Sequence, residues 1–419
     1  MTTRLILATL ISISSLHAAD WPQYRGPQGD GSTPEKVAPW PASGPKVLWK
    51  AESPNGFSSF VAGGGKAFTI EGRELDGVLQ EVLVARDATT GKEAWTAAIG
   101  VAKYDGGGDS GTKENKGGDG PRSTPTIVGK SVVTMSGGLV LQSFDIASGK
   151  EQWKIDLIKD HAGRNIQWQN AASPLLEGGL LYVGGGGPGE SILAIDPATG
   201  KVVAKAFDEK ITHSTPTAAT ILGKRQIVFF LQSGLLAVEP KTLAELWRYN
   251  FQYRTSTAAS PVVAGDIVYC SAGYGVGAGA VKLTNAGGKF EAKEIYRVPG
   301  KDIANHWSTP VLYKGDLYGM FQFKEYGSGP VKAVDVSTGA VKWQREGFGP
   351  GQVILAGDKV LALSDAGDLV LFEPTPTEYK EVARAHVIEG KCWTTPILAN
   401  GHIYARSTKE AVCVDASGK

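Results

Sequence analysis

One unit recurs along nearly the whole chain, and its period limits the folds available. Half of it reads ARDATTGKEAW at Ala85–Trp95, SFDIASGKEQW at Ser143–Trp153, AIDPATGKVVA at Ala194–Ala204, AVEPKTLAELW at Ala237–Trp247 and AVDVSTGAVKW at Ala333–Trp343. A last copy, CVDASGK at Cys413–Lys419, stops short. The other half is a Ser/Thr-x-Pro-apolar run, a Gly turn and an apolar strand, as in STPTIVGKSVV from Ser123, ASPLLEGGLLY from Ala172 and STPVLYKGDLY from Ser308. Short apolar or alternating strands broken by Gly turns imply four antiparallel strands per unit. The anchors are Phe60, Pro125, Pro174, Pro216, Pro261, Pro310, Gln352 and Pro396. They lie 42 to 49 residues apart, except for one 65-residue gap. That period suits one blade of a β-propeller and is too long for a leucine-rich repeat. Eight anchors predict an all-β, eight-bladed propeller filling residues 20–419 as one domain.

Closure can be read as well. The tryptophan follows the acidic residue by eight positions at Asp87/Trp95, Asp145/Trp153, Glu239/Trp247 and Asp335/Trp343, but the chain ends too soon after Asp415. The missing strand is available at Lys46–Lys50, with Trp49, so the N-terminal strand is expected to complete the last blade. Such closure removes a free sheet edge. Trp49, Trp95, Trp153, Trp247 and Trp343 are then blade-docking core residues. Ala204 replaces tryptophan in the third copy, which predicts a weaker contact there. The recurring Asp reads as a turn residue bonding backbone amides.

Composition narrows function. Forty-three basic and 42 acidic residues nearly cancel, so the basic footprint of a nucleic-acid binder is absent. Fifty-five glycines, about twice the usual share, fall at turns. Residues 1–19 read as a signal peptide, with Arg4, an apolar stretch from Leu5 to Ile13 and a small-residue end at Ala18. That stretch is too short to span a bilayer. The chain is therefore expected to be exported, periplasmic or secreted, without a transmembrane segment, and monomeric. Cys270, Cys392 and Cys413 read as buried thiols, a Cys392–Cys413 disulfide being the alternative. The Gly-rich stretch Lys103–Gly120 accounts for most of the long gap and reads as a surface loop. His161 and Arg164, in the next connection, read as solvated loop.

The unit A-x-D-x-x-T-G-K-x-x-W resembles the repeat of the pyrroloquinoline-quinone (PQQ)-type propellers. They include quinoprotein alcohol dehydrogenases and the propeller lipoprotein of the outer-membrane β-barrel assembly machinery. WPQYRGPQGDG at Trp21–Gly31 and GPRSTP at Gly120–Pro125 resemble a group of exported members. The dehydrogenase branch implies a quinone beside a ring of adjacent cysteines, with calcium held by Glu, Asn and Asp. This sequence has no Cys-Cys pair and no CxxCH haem-attachment sequence. Both departures weigh against an alcohol dehydrogenase.

Ligands of propellers sit over the central channel, on the loops that lead into the innermost strands. Those loops precede the anchors and carry Arg122, Trp168, Asn170, His213, Arg254, His306, Trp307 and Trp393. Convergent aromatic and cationic groups suit an anionic or planar ligand, or a side chain of a protein partner. The alternative is that the aromatics plug a narrow channel and the cations solvate its rim. No catalytic residue or metal site is assigned. The leading expectation is a non-catalytic binding or scaffolding propeller. The alternatives are a reduced quinone-dependent oxidoreductase using PQQ with calcium, and an extracellular carbohydrate binder stacking sugars on Trp168, Trp307 and Trp393.

Overall fold

The computed structural model describes residues 20–104, 120–253, 257–322 and 329–418. Eight four-stranded antiparallel sheets follow one another as the blades of a propeller. Blade 1 comprises Val61–Gly63, Lys66–Leu75, Val78–Asp87 and Glu93–Val101. In every blade the first strand after the anchor is innermost, so the residues before each anchor gather at one end of the channel, its mouth. Blades 2 to 7 begin with Thr126–Val128, Leu175–Glu177, Thr217–Ile221, Val262–Ala264, Val311–Tyr313 and Gln352–Ala356. Blade 8 takes Ile397–Ala399, His402–Arg406 and Glu410–Asp415 from the C-terminus. Its outermost strand is Val47–Glu52, antiparallel to Glu410–Asp415 with Trp49 opposite Cys413. The closing strand is the one expected from the sequence.

The hydrophobic core lies between neighbouring blades rather than at one centre. Tryptophan joins them. The Trp49, Trp95, Trp153 and Trp343 indole N–H groups donate to the carbonyls of Ala88, Ile146, Pro197 and Thr375 in the next blade. Gly91, Gly149 and Gly200, each in the Asp-led turn of the next blade, leave room for the rings of Trp49, Trp95 and Trp153. The turn's acidic residue does what was expected: Asp87 Oδ1 accepts from the Thr89 and Thr90 amides at 3.1 and 2.8 Å.

Four blades depart from this scheme, and in two of them, blades 5 and 7, the outermost strands Lys289–Val298 and Lys380–His386 carry no tryptophan. Trp247 donates instead to Gln226 Oε1 of its own blade at 2.7 Å. Blade 3 has Ala204, yet its seam is not left without a bond. The Tyr182 hydroxyl reaches Pro240 O of blade 4 at 2.8 Å, from a different strand of the same sheet.

The Ser/Thr before each anchor forms a second set of ties, around the channel. The Ser59 amide donates to Thr124 Oγ1, Thr124 to Ser173 Oγ, Ser173 to Thr215 Oγ1, Ser260 to Thr309 Oγ1 and Thr395 to Ser59 Oγ. The Ser260 hydroxyl donates back to Thr215 O. Blade 7 has Gly351 at this position, and Gln352 substitutes: its Nε2 donates to Trp307 O at 2.9 Å and Trp393 O at 3.3 Å. The Ser/Thr-Pro half of the repeat is thus a girdle of hydrogen bonds from blade to blade.

The opening motif has a place that the sequence reading left undefined. Trp21, buried, pairs with Ala62 of blade 1. Pro22 O and Gln23 Oε1 accept the amides of Ile127 and Leu176 in blades 2 and 3. The buried Arg25 guanidinium donates to Thr309 O and Pro310 O of blade 6, both at 3.0 Å. Ser32–Thr33 adds a parallel fifth strand to blade 7, and the Glu35 carboxylate caps the amides of Asn400 and Gly401 in blade 8. This segment crosses the channel at the end away from the mouth and forms its floor.

The three cysteines are all buried free thiols, which corrects the disulfide alternative. Cys413 lies on a strand between Trp49 and Tyr404, and Cys392 in the loop before the blade 8 anchor. His161 is held rather than simply solvated, its Nδ1 meeting Glu190 Oε2 at 2.7 Å, whereas Arg164 is exposed as expected and forms a surface pair with Asp208. Residues 1–19, expected to be a signal peptide, residues 105–119 of the Gly-rich stretch, and Arg254 lie outside the described residues.

Candidate functional site

At the mouth, the position three before the anchor carries Phe57, Arg122, His213, Trp307 and Trp393 in blades 1, 2, 4, 6 and 8. Blade 7 has Gly349 there, and the indoles of its two neighbours meet: Trp307 and Trp393 stack with centroids 4.6 Å apart. Phe57 stacks on the other side of Trp393 at 4.9 Å. From Trp307 the contacts continue to His306 at 4.9 Å, Tyr274 at 4.9 Å, Trp168 at 6.5 Å and His213 at 6.5 Å. Seven rings from five blades and the connection between blades 2 and 3 form one array. Phe57, Trp168 and Trp307 are half-buried, Tyr274 is exposed, and the two histidines lie buried below them.

Polar groups fix these rings. Trp393 Nε1 donates to Asp365 Oδ1 at 2.5 Å, and Lys391 Nζ lies 4.6 Å from the centroid of the Trp393 ring. Trp307 Nε1 donates to Pro350 O. The Arg122 guanidinium donates to Trp168 O and packs on Tyr104. The Tyr104 hydroxyl donates to Glu81, which also accepts the Gly137 amide at 3.0 Å. Burial raises the Glu81 carboxyl above its ordinary range, against the pull of these bonds and of Arg122. Burial, then the Arg122 charge, pushes His213 down to about 3; burial, then His213, does the same to His306. Both imidazoles are therefore neutral at ordinary pH.

The structure thus brings Arg122, Trp168, His213, His306, Trp307 and Trp393 together around the mouth. Asn170 has another job. Its side chain bonds the backbone of Ala172 in both directions, and its amide donates to Gly137 O, so it pins the loop that presents Trp168. The void beneath it, lined by Met135, Thr212 and Phe230, has room for about one water.

Sequence reasoning missed Phe57, Tyr274, Asp365, Lys391 and Glu81. Phe57 obeys the same three-before-the-anchor rule and was hidden by an anchor that is not proline. Tyr274 and Glu81 come from other loops and strands, where the repeat gives no signal.

Among the described residues, the donor set does not fit a calcium-bound quinone. Calcium takes roughly six to eight oxygens. No group of three or more His, Cys, Asp or Glu able to hold a metal occurs among the described residues. Asp365 and Glu81 are each committed to a protein donor. No helix among the described residues is long and apolar enough to cross a membrane.

The PQQ_2 family model, described as outer membrane protein assembly factor BamB, matches residues 37–207 and 79–345. No curated protein matches the sequence. Among solved structures, the quinohemoprotein alcohol dehydrogenase of Comamonas testosteroni superposes with a TM-score of 0.67 at 13% identity, over 96% of this chain and 81% of that one. BamB of Moraxella catarrhalis gives a TM-score of 0.55 at 13% identity, over 88% and 98%. A computationally designed protein, Ika8, gives 0.56 at 10%, over 91% and 99%. At such identities these three share the propeller alone, and a fold that hosts enzyme, assembly factor and design does not specify an activity. With its repeat matched over most of its length, the chain belongs to the PQQ-like propeller family represented by the BamB model.

Proposed function

We infer that this protein is an exported, non-catalytic binding propeller that presents the channel mouth to a partner or ligand. Residues 1–19 are its cleaved leader and residues 20–419 its single domain. The observation that carries the reading is the array from Phe57 through Trp393, Trp307, His306 and Tyr274 to Trp168, part of it exposed. Large apolar rings left partly in water and held rigid by indole hydrogen bonds are what binding hot spots are made of. The family's assembly-factor member is consistent with a protein partner, and the cations Arg122 and Lys391 with an anionic or planar ligand.

Two measurements test this. Immobilised protein and its Trp307→Ala/Trp393→Ala variant are exposed to envelope extract; a partner held by the first and lost by the second supports the reading. Titration with PQQ, with and without calcium, tests the oxidoreductase alternative. Saturable, calcium-dependent binding would overturn the non-catalytic assignment. Mass spectrometry of the exported chain reads the leader, with Asp20 as the expected first residue.

A further inference from the structure

A second surface stands apart from the mouth, on the perimeter of the ring. Every blade ends in an outermost strand whose free edge could pair with another chain, and cations commonly guard such edges. Here the guard has a fixed place. The residue after the docking position is Lys154, Lys205, Arg248, Arg297, Arg384 and Lys50 in blades 2, 3, 4, 5, 7 and 8. Blade 6 has Gln344 there, between Lys342 and Arg345. Blade 1 has Thr96, and its outermost strand Glu93–Val101 contains no lysine or arginine.

The same blade exposes the most apolar surface. Of the eleven large hydrophobic side chains exposed among the described residues, it supplies Leu75, Val78, Leu79 and Val101, the last being the most exposed of all at 59%. Leu75 pairs with Val78 and Gln80 with Val101, so alternation puts Leu75, Val78 and Val101 on one face. Along the edge itself Ala94, Thr96 and Ala98 are exposed. Glu93 is the one charge in the strand, and it is spent on Arg73 and Arg86. A β-bulge precedes the docking residue in all eight outermost strands, so it does not set blade 1 apart. Blade 1 has a second bulge at Ile99, which bends the edge but puts no charge on it.

We propose that a second copy of this chain pairs with the blade 1 edge, antiparallel about a two-fold axis near Thr96, to give a weak dimer. Charge selects this occupant. Against the edge of any other blade, the strand would bury a lysine or arginine. Against its own copy it meets neutral residues, and the two Glu93 side chains fall at opposite ends. The contact joins like to like through the one outermost strand without a cation, so it closes at two copies instead of growing. The exposed valines and leucines at the end of the blade adjoin the seam and widen it. This dimer replaces the monomer expected from the sequence, and it is independent of what the mouth binds.

The test is sedimentation equilibrium of the mature protein from about 1 to about 300 µM, a range suited to a small interface. A reversible monomer–dimer equilibrium without larger species is expected. Thr96→Lys installs the guard of the other blades and sets two lysines against each other, so it should weaken the dimer about tenfold or more. Thr96→Val keeps the edge neutral and should retain the dimer. Val203→Lys adds a cation to the exposed edge of blade 3 and should leave the dimer unchanged. Thermal melts identify any variant that fails to fold. Thr96→Cys gives a separate readout: mild oxidation should join two copies covalently, whereas Val203→Cys should stay uncoupled. A monomer at every concentration, growth beyond two copies, or equal dimerisation of the folded Thr96→Lys variant would each overturn the proposal. So would equal weakening by Val203→Lys, or equal crosslinking through Cys at position 203. Capture of a partner at Trp307 and Trp393 could survive all of these results.

Discussion

Trp49 and Gly91 are so close that a Cβ on Gly91 would stand 2.6 Å from the indole. The glycine of the repeat is therefore as much a part of blade docking as the tryptophan, and it belongs to the neighbouring blade. Gly91 also has φ of +72°. Gly91→Ala should cost about 2–4 kcal/mol, combining left-handed strain with overpacking. Gly65→Ala is the control: φ is +75°, but nothing lies within 4 Å of the added Cβ. It should cost only the strain, about 1–2 kcal/mol. Denaturant unfolding compares them, and equal losses would remove the packing explanation.

Arg406 is the corresponding tie at the closing seam. From blade 8 its buried guanidinium donates to Ile70 O at 2.7 Å, Asn55 O at 2.9 Å and Thr69 Oγ1 at 3.0 Å of blade 1 and the loop before it. Arg406→Met should destabilise by about 3–5 kcal/mol, because several buried acceptors lose their donor. Arg406→Lys should rescue little, since one ammonium cannot reproduce the planar fork. Full rescue by lysine in equilibrium unfolding would contradict this account.

Gln352 ties two seams and the aromatic stack at once. Gln352→Leu removes its bonds to the Trp307 and Trp393 carbonyls, with an expected loss of about 1–3 kcal/mol. The stacked indoles should also move apart, reducing near-ultraviolet circular dichroism relative to the unaltered protein. An unchanged spectrum in the leucine variant would mean that Gly349 and Asp365 suffice to hold the stack.

Acid should weaken the fold through His213 and His306. Their folded-state values, about 3, lie below the ordinary histidine value of 6.5. Their contribution is thus full above about 6.5 and lost as pH falls toward 3, on the order of 2 kcal/mol per histidine by pH 4.5. Glu81, raised by burial, acts in the opposite sense. His386, raised first by Glu389 and also by Asp368, stabilises below its folded value and loses that effect as pH rises through it. Comparison with His213→Gln/His306→Gln isolates the pair: unfolding midpoints of this variant should fall less between pH 6.5 and 4.5. Identical slopes would show that the imidazoles are not held neutral.

The sequence was legible wherever one residue repeats one task. Trp49 at the missing position revealed ring closure, and the Ser/Thr-Pro anchors revealed eight blades. The mouth was legible only in part, because a loop is aligned by its anchor and not by its own pattern. Phe57 escaped for want of a proline, and Tyr274 because it reaches the mouth from the opposite end of a strand. Asn170 was misleading: a polar side chain in a channel loop looks the same in sequence whether it meets a ligand or its own backbone. The floor could not be read at all, since the bonds of Arg25 to Thr309 and Pro310 span most of the chain.

The pairing of Val47–Glu52 with Glu410–Asp415 has a consequence in time. Synthesis makes the first of these strands long before the second, so the eighth sheet cannot form until Glu410–Asp415 has been made. The floor segment waits too, because three of its six partner blades are the final three. Contacts this distant carry a large entropic cost and fold slowly. The ring therefore locks only when both strands of the eighth sheet are free in one compartment.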